Sequence, residues 1–213
     1  MSRGEGRRGS ADSGSRSRVK RSQVRNRDKG ACGARLSPRP AWGRAKGAAG
    51  VKLQDMTSAQ LNGLFRSASA PDPAADGFLR GRILTVTVDP YGMFIGDVCR
   101  FWRGKRFWPG AGMNVVAPGG RLLLRALTPS QPLEPGKDGN LEGFPFAVRA
   151  ESGLADPHVD VMALDYGIDS NPSPFLRRLR DELVGVEDGL YLGKILYRVG
   201  DAYRPVGFFS LGA

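Results

Sequence analysis

One carboxylate in the sequence stands where it could act as an acid or a base. Asp165 follows Val161 and Ala163 at the two-residue spacing of a strand face. If that face points into an apolar interior, loss of water raises the pKa of the carboxyl group, which then suits general acid catalysis or a hydrogen bond to a ligand hydroxyl. The alternative is that Asp165 ends the strand and caps a turn, which the nearby Gly167 favours.

Glu182 is the second candidate carboxylate. It lies in a segment with Leu176, Leu179 and Leu183, whose spacing predicts one apolar helical face. On that helix Glu182 borders the apolar face, while Asp181 points away from it. Glu182 could therefore reach a pocket, or it could be one of the charges that commonly border a helical core face. Asp165 and Glu182 together give the hypothesis of an enzyme that uses acid–base chemistry.

Lys105 is a candidate anion-binding residue. It follows Gly104 at a predicted helix end, where a cation suits the negative end of the helix dipole. Aromatic residues surround it in the sequence and could hold the apolar part of a ligand whose carboxylate or phosphate Lys105 binds: Trp102, Phe107 and Trp108. The alternative is a lysine that only caps the helix dipole beside core aromatics.

Tyr191 alternates with Gly193, Ile195 and Tyr197 on one face of a predicted strand. If that face is interior, the tyrosine hydroxyls need hydrogen-bond partners, and Gly193 leaves room for a ligand or for a crossing side chain. The candidate pocket therefore comprises Lys105, Asp165, Glu182 and Tyr191, and the sequence leaves any catalytic residue unknown.

Familiar catalytic and cofactor motifs do not occur between Met56 and Ala213. That region contains no glycine-rich nucleotide loop, no serine nucleophile elbow and no spacing typical of metal ligands, and His158 is the only histidine of the chain. We therefore predict no cofactor and no metal from the sequence.

The elements that must position these residues are short. A capping box at Thr57 and Gln60 predicts a first helix, apolar spacing predicts a second from about Met93 to Arg103, and Ser173-Pro174 predicts the start of a third. Short alternating segments predict six to seven or more strands, one of them over Leu122–Leu127. The fold class is therefore α+β and mainly antiparallel, a small barrel or a strongly curved sheet with three helices.

The charge is concentrated at one end of the chain. The sequence has 32 Lys and Arg against 21 Asp and Glu, and fifteen of the basic residues but only four acids precede Met56. Seventeen of each sign remain, so the rest of the chain has no formal net charge and no overall field to attract a polyanion. We predict a disordered leader over residues 1–55, or a wrongly assigned start, and one globular domain over residues 56–213. Nucleic acid would bind only through the leader.

Cysteine use and hydropathy bear on location. The two cysteines, Cys32 and Cys99, form no CxxC pair, which fits a reducing cytoplasm. No apolar run reaches the roughly 20 residues of a membrane-spanning helix. The sequence therefore predicts a cytoplasmic protein without a membrane span.

A series of motifs resembles a family of uncharacterised bacterial proteins over most of Met56 to Ala213. The motifs are Asp76-Gly77, Gly104-Lys105 with Phe107, Asn114, Leu164-Asp165-Tyr166, Arg180-Asp181-Glu182-Leu183, Gly189-Leu190-Tyr191-Leu192-Gly193 and Phe208-Phe209-Ser210-Leu211. The resemblance implies a fold and a domain boundary but no catalytic role. The order of elements is also weakly similar to that of calycin or lipocalin-like barrels. The leading hypothesis is a barrel that binds a small, mostly apolar ligand with an acidic or polar head.

Overall fold

The computed structural model describes residues 52–71, 76–86 and 99–212. Most of the basic leader therefore lies outside the described residues, as does most of the predicted second helix. The last two residues of that predicted helix, Trp102 and Arg103, instead begin a strand. In the described part of the chain, no helix is long and apolar enough to cross a membrane.

The described residues form nine strands, two α-helices and four single turns of 3-10 helix. The helices are α1 (Ser58–Ser67) and α2 (Arg121–Leu127). The strands are β1 (Gly77–Val86), β2 (Trp102–Trp108), β3 (Ala111–Val116), β4 (Leu133–Pro135), β5 (Leu141–Ser152), β6 (Asp160–Asp165), β7 (Leu179–Glu187), β8 (Leu190–Val199) and β9 (Ala202–Gly212). The protein is therefore mainly β, with a small helical part.

Eight of these strands close into an antiparallel barrel. Their order is β3-β2-β1-β9-β8-β7-β6-β5, and the ring closes because β3 also pairs with β5. Ala147 of β5 shows the closure, since it pairs with Ala111 of β3 and with Asp165 of β6. The ninth strand, β4, pairs with the start of β5. The predicted antiparallel barrel is confirmed, and closure leaves its eight strands without a long free edge.

The predicted first helix is confirmed, together with its cap. The Thr57 side chain accepts a hydrogen bond from the Gln60 backbone N–H at 3.3 Å, and the Gln60 side chain accepts one from the Thr57 N–H at 2.8 Å. This reciprocal pairing satisfies two of the donors that a helix start leaves unpaired. Leu61 and Phe65, which lie one turn apart on the same face of α1, are buried.

The predicted third helix is wrong, and so is the predicted strand over Leu122–Leu127. Only Leu176–Arg178 forms a turn of 3-10 helix, after which Leu179–Glu187 is strand β7, hydrogen-bonded on both edges. Leu179 and Leu183 fit a strand face as well as a helix face, and pairing with two neighbouring strands decides between them. The segment Leu122–Leu127 is α2, which agrees with its leucine, arginine and alanine residues and its lack of β-branched ones.

Strand alternation separates two cores. In β6, Met162 and Leu164 point into the barrel, while Val161 and Ala163 point outward, where α1 covers them. The same alternation in β7 turns Leu179, Asp181 and Leu183 inward and Arg180 and Glu182 outward. The barrel interior forms one hydrophobic core, and the interface between α1 and the outer wall forms the other.

Gly193 of β8 accommodates a neighbouring ring inside the barrel. A Cβ atom at this position would lie 2.2 Å from the ring of Phe209, which is paired with Gly193 on the neighbouring strand β9. The sequence left open whether Gly193 makes room for a ligand or for a crossing side chain, and the structure places Phe209 there. The same ring packs edge-on against Trp102, with 5.4 Å between centroids.

Replacing Gly193 by alanine will destabilise the barrel by about 1–3 kcal/mol, because the added methyl group overpacks the Phe209 ring. Urea unfolding measures the loss. Gly185→Ala is the matched control, since its Cβ would meet only one backbone oxygen at 3.8 Å. Combining Gly193→Ala with Phe209→Leu should cost less than the sum of the two single changes. Strict additivity would contradict the steric explanation.

The packed region begins before Met56. Leu53 lies in a turn of 3-10 helix over Leu53–Asp55 and is buried in the core beneath α1. The domain boundary at Met56 stays a prediction, but a chain that begins there lacks this buried side chain. We expect a chain beginning at Met56 to be about 1.5–3 kcal/mol less stable than one beginning at Lys52. The full-length chain should have the same free energy of unfolding as the chain that begins at Lys52. Equal free energies for all three chains would show that Leu53 contributes nothing.

Candidate functional site

The barrel interior contains a cavity of about 110 Å³. Its walls are mostly apolar and include Val116, Phe144, Ile195 and Phe209. Four polar residues that contact one another form part of the wall: Lys105, Asn114, Tyr166 and Asp181. We call these four residues the interior polar cluster.

Lys105 is the centre of the interior polar cluster. Its Nζ atom lies 2.9 Å from Asn114 Oδ1, 2.6 Å from the Tyr166 hydroxyl and 2.8 Å from Asp181 Oδ2. An ammonium group has three N–H donors, so these three acceptors satisfy it completely. The side chain is only 2% exposed, and the ion pair with Asp181 is therefore shielded from solvent.

Asn114 and Tyr166 connect the ion pair to the barrel wall. Asn114 Nδ2 donates to the Phe144 carbonyl at 3.1 Å and to the Tyr166 hydroxyl at 2.9 Å, while its Oδ1 also accepts from Trp102 Nε1 at 2.9 Å. The Tyr166 hydroxyl in turn donates to Asp181 Oδ2 at 3.0 Å. All the hydrogen-bonding capacity of the Asn114 amide is used, which fixes its orientation.

Strand register and one bulge bring these residues together. Lys105 of β2 and Asn114 of β3 are directly paired, and Asp181 of β7 pairs with Leu164, two residues before Tyr166. The pairing of β3 with β5 shifts by one residue beside Phe144, whose φ of +53° is unusual for a residue with a side chain. The carbonyl group of this strained residue is the one that accepts from Asn114.

Asn171 holds the loop that carries Tyr166. Its fully buried amide donates to the Tyr166 carbonyl and to the Pro145 carbonyl, each at 2.8 Å. The Asn171 carbonyl accepts from Arg177 Nε at 2.7 Å. The loop after β6 is thereby tied to the bulged part of β5, which sets the position of the tyrosine hydroxyl.

Burial changes the protonation behaviour of the cluster. Loss of water lowers the pKa of Lys105, an effect that the Asp181 carboxylate opposes. Burial, then the negative charge of Asp181, raises the pKa of Tyr166 well above its usual value, so the phenol stays protonated. Four aromatic rings, those of Trp102, Phe146, Tyr166 and Phe209, have centroids within 5.0–5.5 Å of Lys105 Nζ.

Two of the residues predicted from the sequence, Asp165 and Tyr191, do not belong to the interior polar cluster. Asp165 lies on the outward face of β6, and its Oδ1 accepts from the Gly167 N–H at 2.8 Å, the contact of a turn-capping carboxylate. Tyr191 is half-buried and packs against the interior core without lining the cavity. Of the four candidates, only Lys105 lines it.

Glu182 is buried on the outer side of the barrel. Its Oε1 accepts from the Leu154 N–H at 2.7 Å and lies 3.4 Å from Arg180 Nε. Burial raises the pKa of Glu182, which these two contacts and Lys194 oppose. Because β7 is a strand and not a helix, Glu182 points away from Lys105 and Asp181 points toward it, the reverse of the prediction.

A second buried lysine fixes α1 to the outer wall. Lys194 Nζ bonds Asp156 Oδ2 and donates to Asn62 Oδ1 at 2.7 Å, and Asp156 Oδ1 lies 2.6 Å from Arg66 Nε. The Lys194 ammonium also lies 4.1 Å from the centroid of Phe65. Asn62, Phe65 and Arg66 belong to α1, so these contacts hold the helix in place.

Three members of the interior polar cluster were missed as site residues. Asn114, Tyr166 and Asp181 all occur in the motifs that carry the family resemblance, and that was the available signal. The two-residue spacing of Leu179, Asp181 and Leu183 would have placed Asp181 on an inward strand face.

Within residues 52–71, 76–86 and 99–212, no three or more His, Cys, Asp or Glu side chains lie together in a group that could hold a metal ion.

No family model matches the chain, and no curated protein matches it either. Among solved structures, the chain is similar to one described as a protein from Thermomonospora curvata. The two share 17% sequence identity at a TM-score of 0.43, and the match covers 74% of this chain and 87% of that one. The resemblance to a bacterial family therefore stays a prediction.

Cys99 lines the cavity and should react slowly with alkylating reagents. Burial, then the charge of Asp181, raises the pKa of its thiol from 9.0 to about 12. We expect a roughly thousandfold smaller thiolate fraction at pH 8 than for an unperturbed cysteine, because the thiolate is the reacting form. Iodoacetamide labelling followed by peptide mass spectrometry measures the rate, with the chain in concentrated urea as the reference. Equal rates in the two conditions would contradict this assignment.

Proposed function

We propose that this protein binds a small, mostly apolar molecule bearing one neutral polar group, inside the barrel. The observation that carries the proposal is a largely apolar cavity whose wall contains the buried Lys105–Asp181 ion pair. Burying two charges costs several kcal/mol for each ion, and apolar residues of similar volume often stabilise a core as well or better. A charged pair lining an internal cavity therefore supports a role in binding.

The cavity size limits the ligand. At about 110 Å³ it is somewhat smaller than the ~150 Å³ engineered cavity that binds benzene. The volume suits a single ring or a short chain, and it is below the several hundred Å³ typical of drug-sized ligand sites. A larger ligand would require the walls to move.

The charge of the cluster selects the polar group. Lys105 already contacts three acceptors, and its charge is balanced by Asp181, so the cavity offers no net positive charge to an acidic head. Asp181 uses Oδ2 for both Lys105 and Tyr166. Oδ1 has no donor among the described residues and is the acceptor available to a ligand. A hydroxyl group satisfies it, so a neutral alcohol or phenol is favoured over a carboxylate.

The fold is compatible with this proposal. Closed barrels of eight antiparallel strands have an interior that side chains can fill or that can hold one small ligand, as in lipocalins. The calycin-like comparison remains an analogy at the level of the fold, and the binding proposal depends on the cavity and not on that analogy.

The other hypotheses receive less support. Neither Asp165 nor Glu182 lines the cavity, so this cavity does not support an acid–base mechanism built on these two residues. Nucleic-acid binding through the leader stays a prediction, since most of that segment lies outside the described residues. A cytoplasmic location likewise stays a prediction from cysteine use.

Phenol should bind the protein more tightly than toluene, which has nearly the same shape without the hydroxyl group. A hydrogen bond to a charged acceptor contributes about 1.5–3 kcal/mol, which corresponds to roughly 10–100-fold in affinity. Titration calorimetry with both probes measures the preference. Failure of both to bind, or equal binding of the two, would contradict the proposal.

Asp181→Asn should reduce the preference for phenol, while Asp165→Asn, which removes the same charge on the outward face, should leave it intact. The first change also leaves Lys105 buried without its counterion, so unfolding must be measured in parallel. Replacing the pair together, Lys105→Met with Asp181→Leu, removes this problem. That variant should bind toluene at least as tightly as phenol.

A further inference from the structure

We infer that Lys105 forms an imine with a small aldehyde or ketone that enters the cavity. This inference rests on the proposed function, since the carbonyl compound must occupy the same cavity. It assigns a covalent reaction to Lys105. The alternative is that Lys105 only stabilises the fold through its ion pair with Asp181.

The first argument is the position of the amine. Lys105 lines the cavity, and its Nζ atom lies 5.0–5.5 Å from the centroids of four aromatic rings. Lysines become nucleophilic when an apolar site removes water from the ammonium group and favours the neutral amine. The lowered pKa of Lys105, caused first by burial, agrees with this environment.

The second argument is the presence of proton-transfer partners. Asp181 Oδ2 lies 2.8 Å from Lys105 Nζ, and the Tyr166 hydroxyl lies 2.6 Å from Nζ and 3.0 Å from Oδ2. The three groups thus form a closed triangle of hydrogen-bonded atoms. The ammonium can lose a proton to the carboxylate directly, without help from bulk water.

The step balances with the groups present. Asp181 takes one proton from the Lys105 ammonium, and the neutral amine attacks the carbonyl carbon to form the C–N bond. After proton transfer from nitrogen to oxygen gives the carbinolamine, the Asp181 carboxyl returns its proton to the hydroxyl group. The C–O bond then breaks and water leaves. One ammonium and one carbonyl compound become one protonated imine and one water, with no oxidant or reductant required.

Lys194 provides a matched control within the same molecule. Like Lys105 it is buried, bonds a carboxylate and an asparagine, and lies against aromatic rings. It differs in pointing to the outside of the barrel, where α1 covers it, and it does not line the cavity. Burial alone would make the two lysines equally reactive, whereas access from the cavity selects Lys105.

The experiment traps the imine by reduction. The full-length protein is incubated with butanal and sodium cyanoborohydride, and peptide mass spectrometry follows alkylation at Lys105, Lys194 and the exposed Lys137. We expect Lys105 to be labelled roughly tenfold faster than Lys137 or more, because the cavity holds the aldehyde beside the Lys105 amine. Lys194 should remain unlabelled, and the preference for Lys105 should disappear in concentrated urea.

Two further measurements separate this inference from the binding proposal. Lys105→Arg keeps a positive charge but cannot form an imine, so it should lose the fast labelling while a circular dichroism spectrum verifies folding. An excess of phenol should slow labelling of Lys105 in the wild type by occupying the cavity. If phenol binds and Lys105 is labelled no faster than Lys137, the imine inference fails and the binding proposal stands. If phenol does not bind and Lys105 is not labelled, both fail.

Discussion

An ammonium group enclosed by a barrel must find acceptors on strands that are far apart in the sequence, and this requirement governs much of the interior. Lys105 takes its three acceptors from β3, from the loop that follows β6 and from β7, so its satisfaction depends on closure of the sheet. Closure occurs through the pairing of β3 with β5, and the bulge beside Phe144 lets that pairing also supply a carbonyl group to Asn114. An unsatisfied buried charge would cost more than any single apolar contact contributes.

The two buried lysines lie on opposite faces of the barrel wall and have different roles. Lys105 lies inside among aromatic rings, where an apolar cavity reaches it. Lys194 lies outside, where Asp156 and Asn62 fix helix α1 against the strands. The same chemical group therefore serves a candidate binding site on the inner face and the attachment of a helix on the outer face.

The sequence predicted the parts of this structure that local signals determine. The capping box identified α1, and the alternation around Tyr191 identified a strand where β8 lies. Lys105 was chosen for a predicted helix end, but it lies within strand β2. The prediction of the site residues was wrong where strand pairing between distant parts of the sequence decides which way a side chain points. The leucines from 176 to 183 are compatible with a helix or a strand, and only the pairing of β7 with β6 and β8 selects the strand that turns Asp181 inward. Tyr166 reaches Lys105 across 61 residues of sequence, a distance over which spacing carries no information.

Strand β7 carries the charged triplet Arg180-Asp181-Glu182 between Leu179 and Leu183, with Asp181 inside and its two neighbours outside. A slip of one residue in the pairing of β7 would exchange these faces, because side chains alternate along a strand. Asp181 would turn away from Lys105, and both Arg180 and Glu182 would turn into the mostly apolar interior, where burying further charges is costly. The triplet thus penalises misaligned pairing during folding and identifies one alignment of the strand as the native one.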